Sequence, residues 1–457
     1  MRLGQPLEAV LSDQERILDA WQSGGVRGLV LGRLVFQSDG PTARPVWAFA
    51  PNHTIYRRWD VPPPPEPAER FPERREQLDR LIERAKGRGW SIYLFEPAAG
   101  AGPPAADGRS AARHLLTDER HRRAYLARLE DTLTQFPQAD GVVLDGPEWG
   151  YEIEPGHRAN LFDDVGPEVQ AAAQAMGIDY NRLVAASDRL LQRLHKISRE
   201  VATLDAPGGV FNALHLLSND PGIVSWFAFR ARTMTAFYRQ VHQVAEALTR
   251  ARNRQVKLAL SPRMPSFSAL CGYDLPAMAP MFDLILPKLY IWDRGIDGLY
   301  GTVRRYVRTL MEWNPGLWEP EAFASVRALL GIALPATEGS DLPSITSLRE
   351  LERGFPDPFF SAWLVEEVKR CIAASDGYPW KVLPWVDSGR RPHGGDPVTA
   401  HDLRRLLVAT KEGGARQVLY HNHAHLTAAE WSVLSDFCGS AWREGEGLYG
   451  RYLPPDE

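Results

Sequence analysis

The chain alternates short apolar runs with longer stretches in which apolar residues recur every three to four positions. The short runs predict buried strands, and the longer stretches predict amphipathic helices. The predicted strands are Val46–Ala50, Ser91–Phe95, Gly141–Asp145, Gln255–Ser261, Leu284–Tyr290, Ala328–Leu334, Lys381–Val386 and Gln417–His421. The helices predicted between them are Arg74–Gly87, Asp118–Phe136, Ile223–Arg252, Ile296–Trp313, Phe359–Ala373, Thr399–Glu412 and Thr427–Phe437.

Eight strands that alternate with helices without a long linker predict one α/β domain over residues 1–457, a (β/α)8 TIM barrel. Residues 1–45 are expected to form an N-terminal helix and hairpin extension. A mostly helical insertion over residues 152–252 is expected directly after the acidic strand Gly141–Asp145.

Two further runs complicate the strand count. Gly28–Gln37 predicts a strand that pairs with Val46–Ala50 as a hairpin and closes or decorates the bottom of the barrel. Gly209–Leu214 is a tenth candidate inside the helical insertion. The sequence therefore leaves open whether Asp145 ends the third or the fourth strand of the barrel.

The carboxyl ends of the predicted strands are rich in polar and aromatic residues. Barrels of this kind build their active sites at these ends, so the residues there are the candidate site. They are Asn52 and His53, Glu96, Asp145 with Glu148, Arg263, Tyr290 with Trp292 and Asp293, Glu338, Trp385 with Asp387, and His421 with His423.

The strand Gly141–Asp145 ends in the most informative of these groups. A carboxylate is followed by a Gly-Pro break, then by Glu148, Trp149 and Tyr151. Two carboxyl groups can act as proton donor and nucleophile at a glycosidic bond, and flat rings can stack on sugar faces. The alternative is that Asp145 or Glu148 only caps the next helix.

Three segments resemble the (β/α)8 barrels of the glycoside hydrolases. Asp140-Gly-Val-Val-Leu-Asp145-Gly-Pro-Glu148 is similar to the acidic strand of chitinase-like barrels, although its spacing differs and the middle acid is missing. Asp283–Tyr290 and Leu383–Asp387 resemble later strands of such barrels, which present a Tyr, a Trp platform and an acid. The resemblance implies cleavage of a carbohydrate by carboxylate chemistry.

The predicted catalytic residues are Asp145, Glu148 and Asp387. Glu148 diverges from Asp145 on an irregular turn, so Asp387 is the preferred partner of Asp145, then Glu96, with Glu148 as the alternative acid. The residues expected to bind substrate are His53, Glu96, Trp149, Tyr151, Arg263, Lys288, Tyr290, Trp292, Trp385, His421 and His423. Arg263 and Lys288 are expected either to lower a carboxylate pKa or to tie strand ends to loops.

The run His421-Asn-His423 suggests a metal-dependent hydrolase as a competing function. Alternate residues of a strand point the same way, and imidazole is a common zinc ligand. The run continues to His425, but no His-Glu-x-x-His motif and no cysteine partner supports a metal site, so we expect no metal and no other cofactor. A barrel that binds carbohydrate without cleaving it is the third possibility.

Charge and composition exclude other partners. The net charge is −4 with scattered basic residues, which argues against nucleic acid and acidic membrane surfaces. Three cysteines far apart form no disulfide framework or zinc motif. No signal peptide or membrane span is predicted, so we expect a cytoplasmic protein.

Overall fold

A computed structural model of the chain describes residues 1–4, 7–37, 45–98, 111–157, 159–200, 202, 220–290, 298–332, 345–386, 400–421, 423, 426 and 428–442. The strands are β1 (Arg2–Leu3), β2 (Gly28–Leu31), β3 (Val35–Gln37), β4 (Pro45–Trp47), β5 (Ser91–Pro97), β6 (Gly141–Asp145), β7 (Lys257–Leu260), β8 (Leu284–Ile285), β9 (Lys288–Leu289), β10 (Trp385–Val386) and β11 (Leu419–Tyr420).

Helices separate most of these strands along the chain. The α-helices are Glu8–Leu11, Gln14–Ser23, His53–Arg58, Pro72–Gly87, Ala111–Thr117, Glu119–Gln135, Pro167–Ala175, Tyr180–Leu194, Pro221–Arg252, Pro265–Cys271, Leu275–Met278, Leu299–Trp313, Glu319–Leu330, Leu348–Arg353, Asp357–Phe359, Val365–Ala374, Ala400–Glu412 and Ala428–Cys438. Phe360–Leu364 is a π-helix, and Ala279–Met281 and Pro379–Lys381 are 3₁₀-helices. No helix among the described residues is both long enough and apolar enough to cross a membrane.

The main sheet has six parallel strands in the order β1-β2-β5-β6-β7-β8. A second parallel sheet has the order β11-β10-β9. A parallel bridge between Ile285 and Val382 joins the two sheets. β3 and β4 form a separate antiparallel hairpin. The fold is thus an α/β arrangement of parallel strands, with β6 as the fourth strand.

Strand residues alternate between two packing environments, as expected for a period of two. One environment, here called the inner cluster, contains Val30, Tyr93, Phe95, Val143, Ala259, Leu286, Tyr290, Trp385 and Leu419, which come from both sheets. Their neighbours in sequence, such as Leu94 and Leu144, pack in the larger core against the helices. Strands buried on both faces explain the continuous apolar runs in the sequence.

Aspartates at the amino ends of strands join neighbouring strands. Asp140, just before β6, accepts the backbone N–H of Ile92 at 2.7 Å and lies 2.8 Å from Lys86 Nζ. Asp283, just before β8, accepts the backbone N–H of Leu258 at 2.9 Å. Both carboxylates bind donors at the amino end of the sheet, away from the candidate site.

Some strand predictions need correction, and one strand was missed. Of the predicted strand Val46–Ala50, only Val46 and Trp47 belong to a strand, β4, which pairs with β3 in an antiparallel hairpin and is not part of the parallel sheets. The run Gly28–Gln37, expected as one strand of that hairpin, divides into β2, which belongs to the main sheet, and β3. Ala328–Leu334 is helical as far as Leu330, because the helix that begins at Glu319 continues through it. Arg2–Leu3 is a strand that hydrophobic periodicity missed, because two residues are too few to show a period.

Other predictions agree with the structure more closely. The helix predicted over Asp118–Phe136 forms as Glu119–Gln135, and Asp118 caps it by accepting from the backbone N–H groups of Arg120 and His121. Leu284–Tyr290 is strand in two parts, β8 and β9. The candidate strand Gly209–Leu214 lies outside the described residues.

The first and last strands approach each other through side chains. Arg2 Nη1 lies 3.2 Å from His421 Nε2, and the backbone N–H of Gly4 donates to His423 Nδ1 at 3.2 Å. Within the described residues, β1 and β11 share no backbone ladder. These contacts bring the two ends of the parallel array together.

Gly141→Ala is predicted to destabilise the fold by about 2 kcal/mol or more. A Cβ atom at Gly141 would lie 1.9 Å from the carbonyl oxygen of Lys257 in the adjacent strand. Urea unfolding of both proteins measures the loss. Gly87→Ala is the control, because no atom lies within 4 Å of a Cβ there. Equal unfolding midpoints for wild type and Gly141→Ala would contradict the close approach of β6 and β7.

Candidate active site

Asp145 projects to the same side of the sheet as the inner cluster. It lies two residues after Val143, and successive side chains of a strand alternate between faces. Lys288 lies between Leu286 and Tyr290 at the same spacing, so it projects to this side as well. Asp145 is the last residue of β6, and Lys288 is in β9, the two-residue strand that follows β8 along the chain.

Asp145 and Lys288 form an ion pair. Lys288 Nζ lies 2.6 Å from Asp145 Oδ1, and the side chains are 7% (Lys288) and 28% (Asp145) exposed. The lysine is almost buried, whereas the carboxylate keeps access to solvent. The pair orients one oxygen of Asp145 toward β9.

Glu148 forms the second pair of the site, with Arg263 after β7. Arg263 Nε lies 3.0 Å from each carboxylate oxygen of Glu148. The guanidinium also lies 5.0 Å from the centre of the Tyr151 ring. A two-oxygen contact of this kind fixes both the position and the plane of the carboxylate.

Gly146 separates the two acids. It adopts φ +79°, a region that favours glycine, and is followed by a cis bond to Pro147. No helix begins at Asp145 or Glu148; the next described helix starts at Pro167. The helix-cap alternative for these two acids is therefore wrong.

The segment that follows Glu148 is held on both sides by helices. Asp164 Oδ2 accepts from the Gly150 N–H at 2.8 Å, and Arg230 donates to the Gly150 carbonyl. The Tyr306 hydroxyl donates to the carbonyl of Tyr151. These contacts fix the backbone that carries the acid and the ring.

Two buried ion pairs support this segment, and the sequence analysis missed both. Arg230 is fully buried and lies 2.9 Å from Asp164 Oδ2. Arg305 Nη2 lies 2.6 Å from Oε1 of the buried Glu152. A signal existed for Arg230, because it interrupts the apolar stripe of its helix four residues after Trp226.

Neutral groups pack close to the acids. Burial raises the pKa of the hydroxyls of Tyr238 and Tyr273 and of the Cys271 thiol well above their ordinary values. Tyr273 donates to the carbonyl of Pro147 at 3.4 Å. These three side chains therefore stay uncharged beside Asp145 and Glu148.

A second group of residues surrounds His421 at the end of β11. The Tyr290 hydroxyl lies 2.9 Å from His421 Nδ1, and Arg2 Nη1 lies 3.2 Å from Nε2. The Arg2 guanidinium stacks at 4.2 Å on Phe95 and at 5.3 Å on Trp385. Tyr290, Trp385 and His421, three residues predicted to bind substrate, thus lie close together, and Arg2, which was not predicted, lies beside them.

The donor set of the two histidines does not fit a shared metal ion. Both ring nitrogens of His421 have protein partners, one of them the cationic Arg2. His423 Nδ1 accepts a backbone N–H, and its ring packs edge-on to Trp21 at 6.3 Å. The described residues contain no group of three His, Cys, Asp or Glu side chains arranged to hold a metal.

Glu96 faces away from Asp145. Its partner in register on β6 is Leu144, which packs in the larger core against the helices. Glu96 Oε1 lies 2.5 Å from Arg128 Nε in a buried pair. The sequence expectation placed Glu96 beside Asp145 because both end strands. The period of two places them on opposite faces.

Other predicted binding residues also lie elsewhere. Trp149 is buried against the helix Pro221–Arg252, where its Nε1 donates to the Arg230 carbonyl at 3.0 Å. His53 is exposed and lies 3.1 Å from Glu66. Trp292 and Asp387 lie outside the described residues.

Comparison of the chain with known proteins finds matches among solved structures. No family model matches the chain, and neither does any curated protein. A class V chitinase from Pseudomonas fluorescens is 9% identical, with 95% of this chain and 98% of that chain covered and a TM-score of 0.42. A chitinase from Chromobacterium violaceum is 12% identical over 86% and 97%, with a TM-score of 0.34.

A third neighbour is a glycoside hydrolase family 18 N-acetylglucosaminidase from Paenibacillus barengoltzii. It is 10% identical, the match covers 79% of this chain and 85% of that one, and the TM-score is 0.37.

A double-mutant cycle is predicted to couple Glu148 and Arg263. Removing either partner alone leaves the other charge largely buried, so Glu148→Gln and Arg263→Met should each destabilise the protein by about 2–4 kcal/mol. The double variant should lose about 1–3 kcal/mol less than the sum. Urea unfolding measures all four proteins.

The exposed pair of Glu66 and Arg70, 2.8 Å apart, is the matched control. Its coupling should stay below about 1 kcal/mol. Equal coupling in the two cycles would show that Arg263 does not hold Glu148 in a specific geometry.

Proposed function

We propose that the protein is a glycoside hydrolase that uses Asp145 and Glu148. The observation that carries the proposal is their common position. Asp145 ends β6 and Glu148 follows three residues later, and each is held by a cation, Lys288 in β9 or Arg263 after β7. Carboxylates fixed in this way at strand ends suit a reaction that needs oriented acids.

One carboxyl group would protonate the glycosidic oxygen as its bond to the anomeric carbon breaks. The other would attack that carbon or stabilise its developing positive charge. Asp145, more exposed than its lysine, is proposed as the nucleophile or stabilising carboxylate. Glu148 is proposed as the acid, which requires one of its oxygens to leave Arg263. Asp387 remains an alternative partner for Asp145.

The proposed fold is a single (β/α)8 barrel over residues 1–457. Support comes from the shared inner cluster and from the contacts of Arg2 with His421 between the first and last strands. In this proposal the barrel closes between β11 and β1. The acids and their cations would then lie at its carboxyl-end opening.

Sugar contacts are proposed for Tyr151, Tyr290, Trp385 and His421, together with Trp292. Tyr151 packs beside Arg263, and the other three described residues cluster at the ends of β9, β10 and β11. Glu96, Trp149, His53 and His423 have other partners and are left out of the proposed site.

A carbohydrate-binding protein without hydrolytic activity is the second candidate. The observation that favours it is the engagement of both acids in ion pairs. A carboxylate held only for binding needs no freedom to exchange a proton. Release of reducing ends from a bound oligosaccharide separates the two functions.

Asp145→Asn is predicted to lower kcat by about 10²–10⁴-fold, because the amide cannot act as nucleophile or base. A panel of aryl glycosides that includes N-acetylglucosaminides identifies a substrate on the wild type. Initial rates should then be compared well below the melting temperature of each protein, because the variant leaves the buried Lys288 without its partner.

Glu96→Gln is the matched control. It removes an acid at the carboxyl end of the neighbouring strand that is also paired with a cation, but on the opposite face. It should lower the melting temperature and leave kcat within about threefold of wild type, since it removes no transition-state contact. Equal losses of kcat in both variants would assign Asp145 a structural role.

A further inference from the structure

The candidate acid Glu148 and the residue after it are held by the two ends of one short segment, residues 263–273. At one end, Arg263 Nε lies 3.0 Å from each carboxylate oxygen of Glu148. At the other end, the carbonyl of Cys271 accepts from the backbone N–H of Trp149 at 3.2 Å. The position of this segment therefore determines the position of the acid.

The segment packs closely against the backbone on both sides of the acid. Its helix, Pro265–Cys271, ends at Gly272, which adopts φ +83°. A Cβ atom at Gly272 would lie 2.6 Å from Trp149 Cδ1, which shows how near the two chains come. After the helix, the Tyr273 hydroxyl donates to the carbonyl of Pro147 at 3.4 Å. A displacement of the helix would therefore also displace the acid.

Glu367 connects the start of this helix to another helix, Val365–Ala374. One of its carboxylate oxygens accepts from the backbone N–H of Ser266 at 2.9 Å, and the other accepts from the Ser266 hydroxyl at 2.6 Å. Arg370, in the same helix as Glu367, lies 3.0 Å from Glu367 Oε1. Hydrogen bonds to an ionised group are stronger than those between neutral groups. These contacts therefore fix the start of the helix Pro265–Cys271.

The Glu367 carboxyl is fully buried, which limits what it can add to stability. Burial raises the pKa of this carboxyl, and the hydrogen bonds from Ser266 oppose that rise. The desolvation of a buried charge offsets most of the attraction between it and its partners. The main physical effect of these contacts is therefore the fixed geometry between the two helices.

Glu367 reaches the candidate site only through this connection. In the described part of the chain its hydrogen-bond partners are Ser266 and Arg370, and neither candidate acid is among them. Ser266 lies three residues after Arg263, which is less than one turn of a helix. A shift of Ser266 is therefore transmitted to Arg263 over a very short stretch of chain, and from Arg263 to Glu148.

We propose that Glu367 is a positioning residue of the candidate active site. It orients Glu148 indirectly, through the start of the helix Pro265–Cys271 and the guanidinium of Arg263. Its effect on catalysis rests on the proposed role of Glu148 as the acid, whereas its effect on the geometry of the ion pair does not. Without Glu367 the helix loses its anchor, and the guanidinium no longer meets both carboxylate oxygens at once.

The coupling between Glu148 and Arg263 tests this proposal without any substrate. The double-mutant cycle of these two residues is repeated by urea unfolding in proteins that also carry Glu367→Gln or Ser266→Ala. Each of the two changes should reduce the coupling to less than about half of its wild-type value, because the pair is then no longer held in one geometry. Ser266→Thr, which keeps the hydroxyl, should retain most of the coupling.

Ser268→Ala is the matched control. This serine lies in the same helix, but its hydroxyl donates to the carbonyl of Met264 at 3.3 Å and not to the helix Val365–Ala374. The coupling should therefore stay near its wild-type value. Unchanged coupling in both Glu367→Gln and Ser266→Ala would overturn the proposal, and so would an equal loss of coupling in Ser268→Ala. If Glu367→Gln does not fold, Ser266→Ala decides.

Kinetic measurements test the consequence for the proposed reaction. On a glycoside that the wild type hydrolyses, Glu367→Gln should lower kcat about tenfold and leave KM within about twofold, because a displaced acid impairs proton transfer more than binding. Ser268→Ala should leave kcat within about twofold of wild type. An unchanged kcat in folded Glu367→Gln would overturn the positioning role. A wild type that hydrolyses no glycoside would refute the proposed function, and the coupling would still decide whether Glu367 orients Glu148.

Discussion

The period of two along the parallel strands is the constraint on which the candidate site depends. In β6 it places Val143 in the inner cluster and Leu144 in the larger core against the helices. Asp145, the next residue, therefore projects to the side of the inner cluster. A register shift of one residue would bury Asp145 among helices and expose Leu144 to the site. In the neighbouring strand β5, Glu96 lies on the opposite face of the sheet and forms a buried ion pair with Arg128. Which carboxylates face the candidate site is thus determined by which strand residues pack in the inner cluster.

Paired charges define the surroundings of the site. Asp145, Glu148 and Glu152 each have a cation that comes from a different element of the fold. Buried ion pairs contribute little net stability, because the desolvation of both groups offsets their attraction. Such pairs do fix the orientation of the charged side chains, because each side chain has one arrangement that satisfies its partner. These ion pairs therefore fix the orientation of the carboxylates, whereas apolar side chains in their place would add more to stability.

The sequence predicted much of the fold where patterns are local. The apolar run of β6 has the bounds that periodicity indicated, and Arg263 and Lys288 do face the acids of that strand. The predictions failed where the position of a residue depends on partners far away in the sequence. Arg2 could not be predicted, because a strand of two residues has no period and its partner is His421. Glu96 was misplaced because a position at a strand end does not reveal which face the side chain takes.

The contact between Arg2 and His421 has a consequence for how the protein forms in the cell. The two residues are 419 positions apart, nearly the full length of the chain. At about 5–20 residues per second, the ribosome needs roughly 20–80 s to add that many residues. During this time β1 has β2 as its strand partner, and the side-chain contact between Arg2 and His421 has not yet formed. Newly made chains should therefore be most prone to wrong strand pairing at β1, and chaperones that cover this edge should raise the yield of native protein.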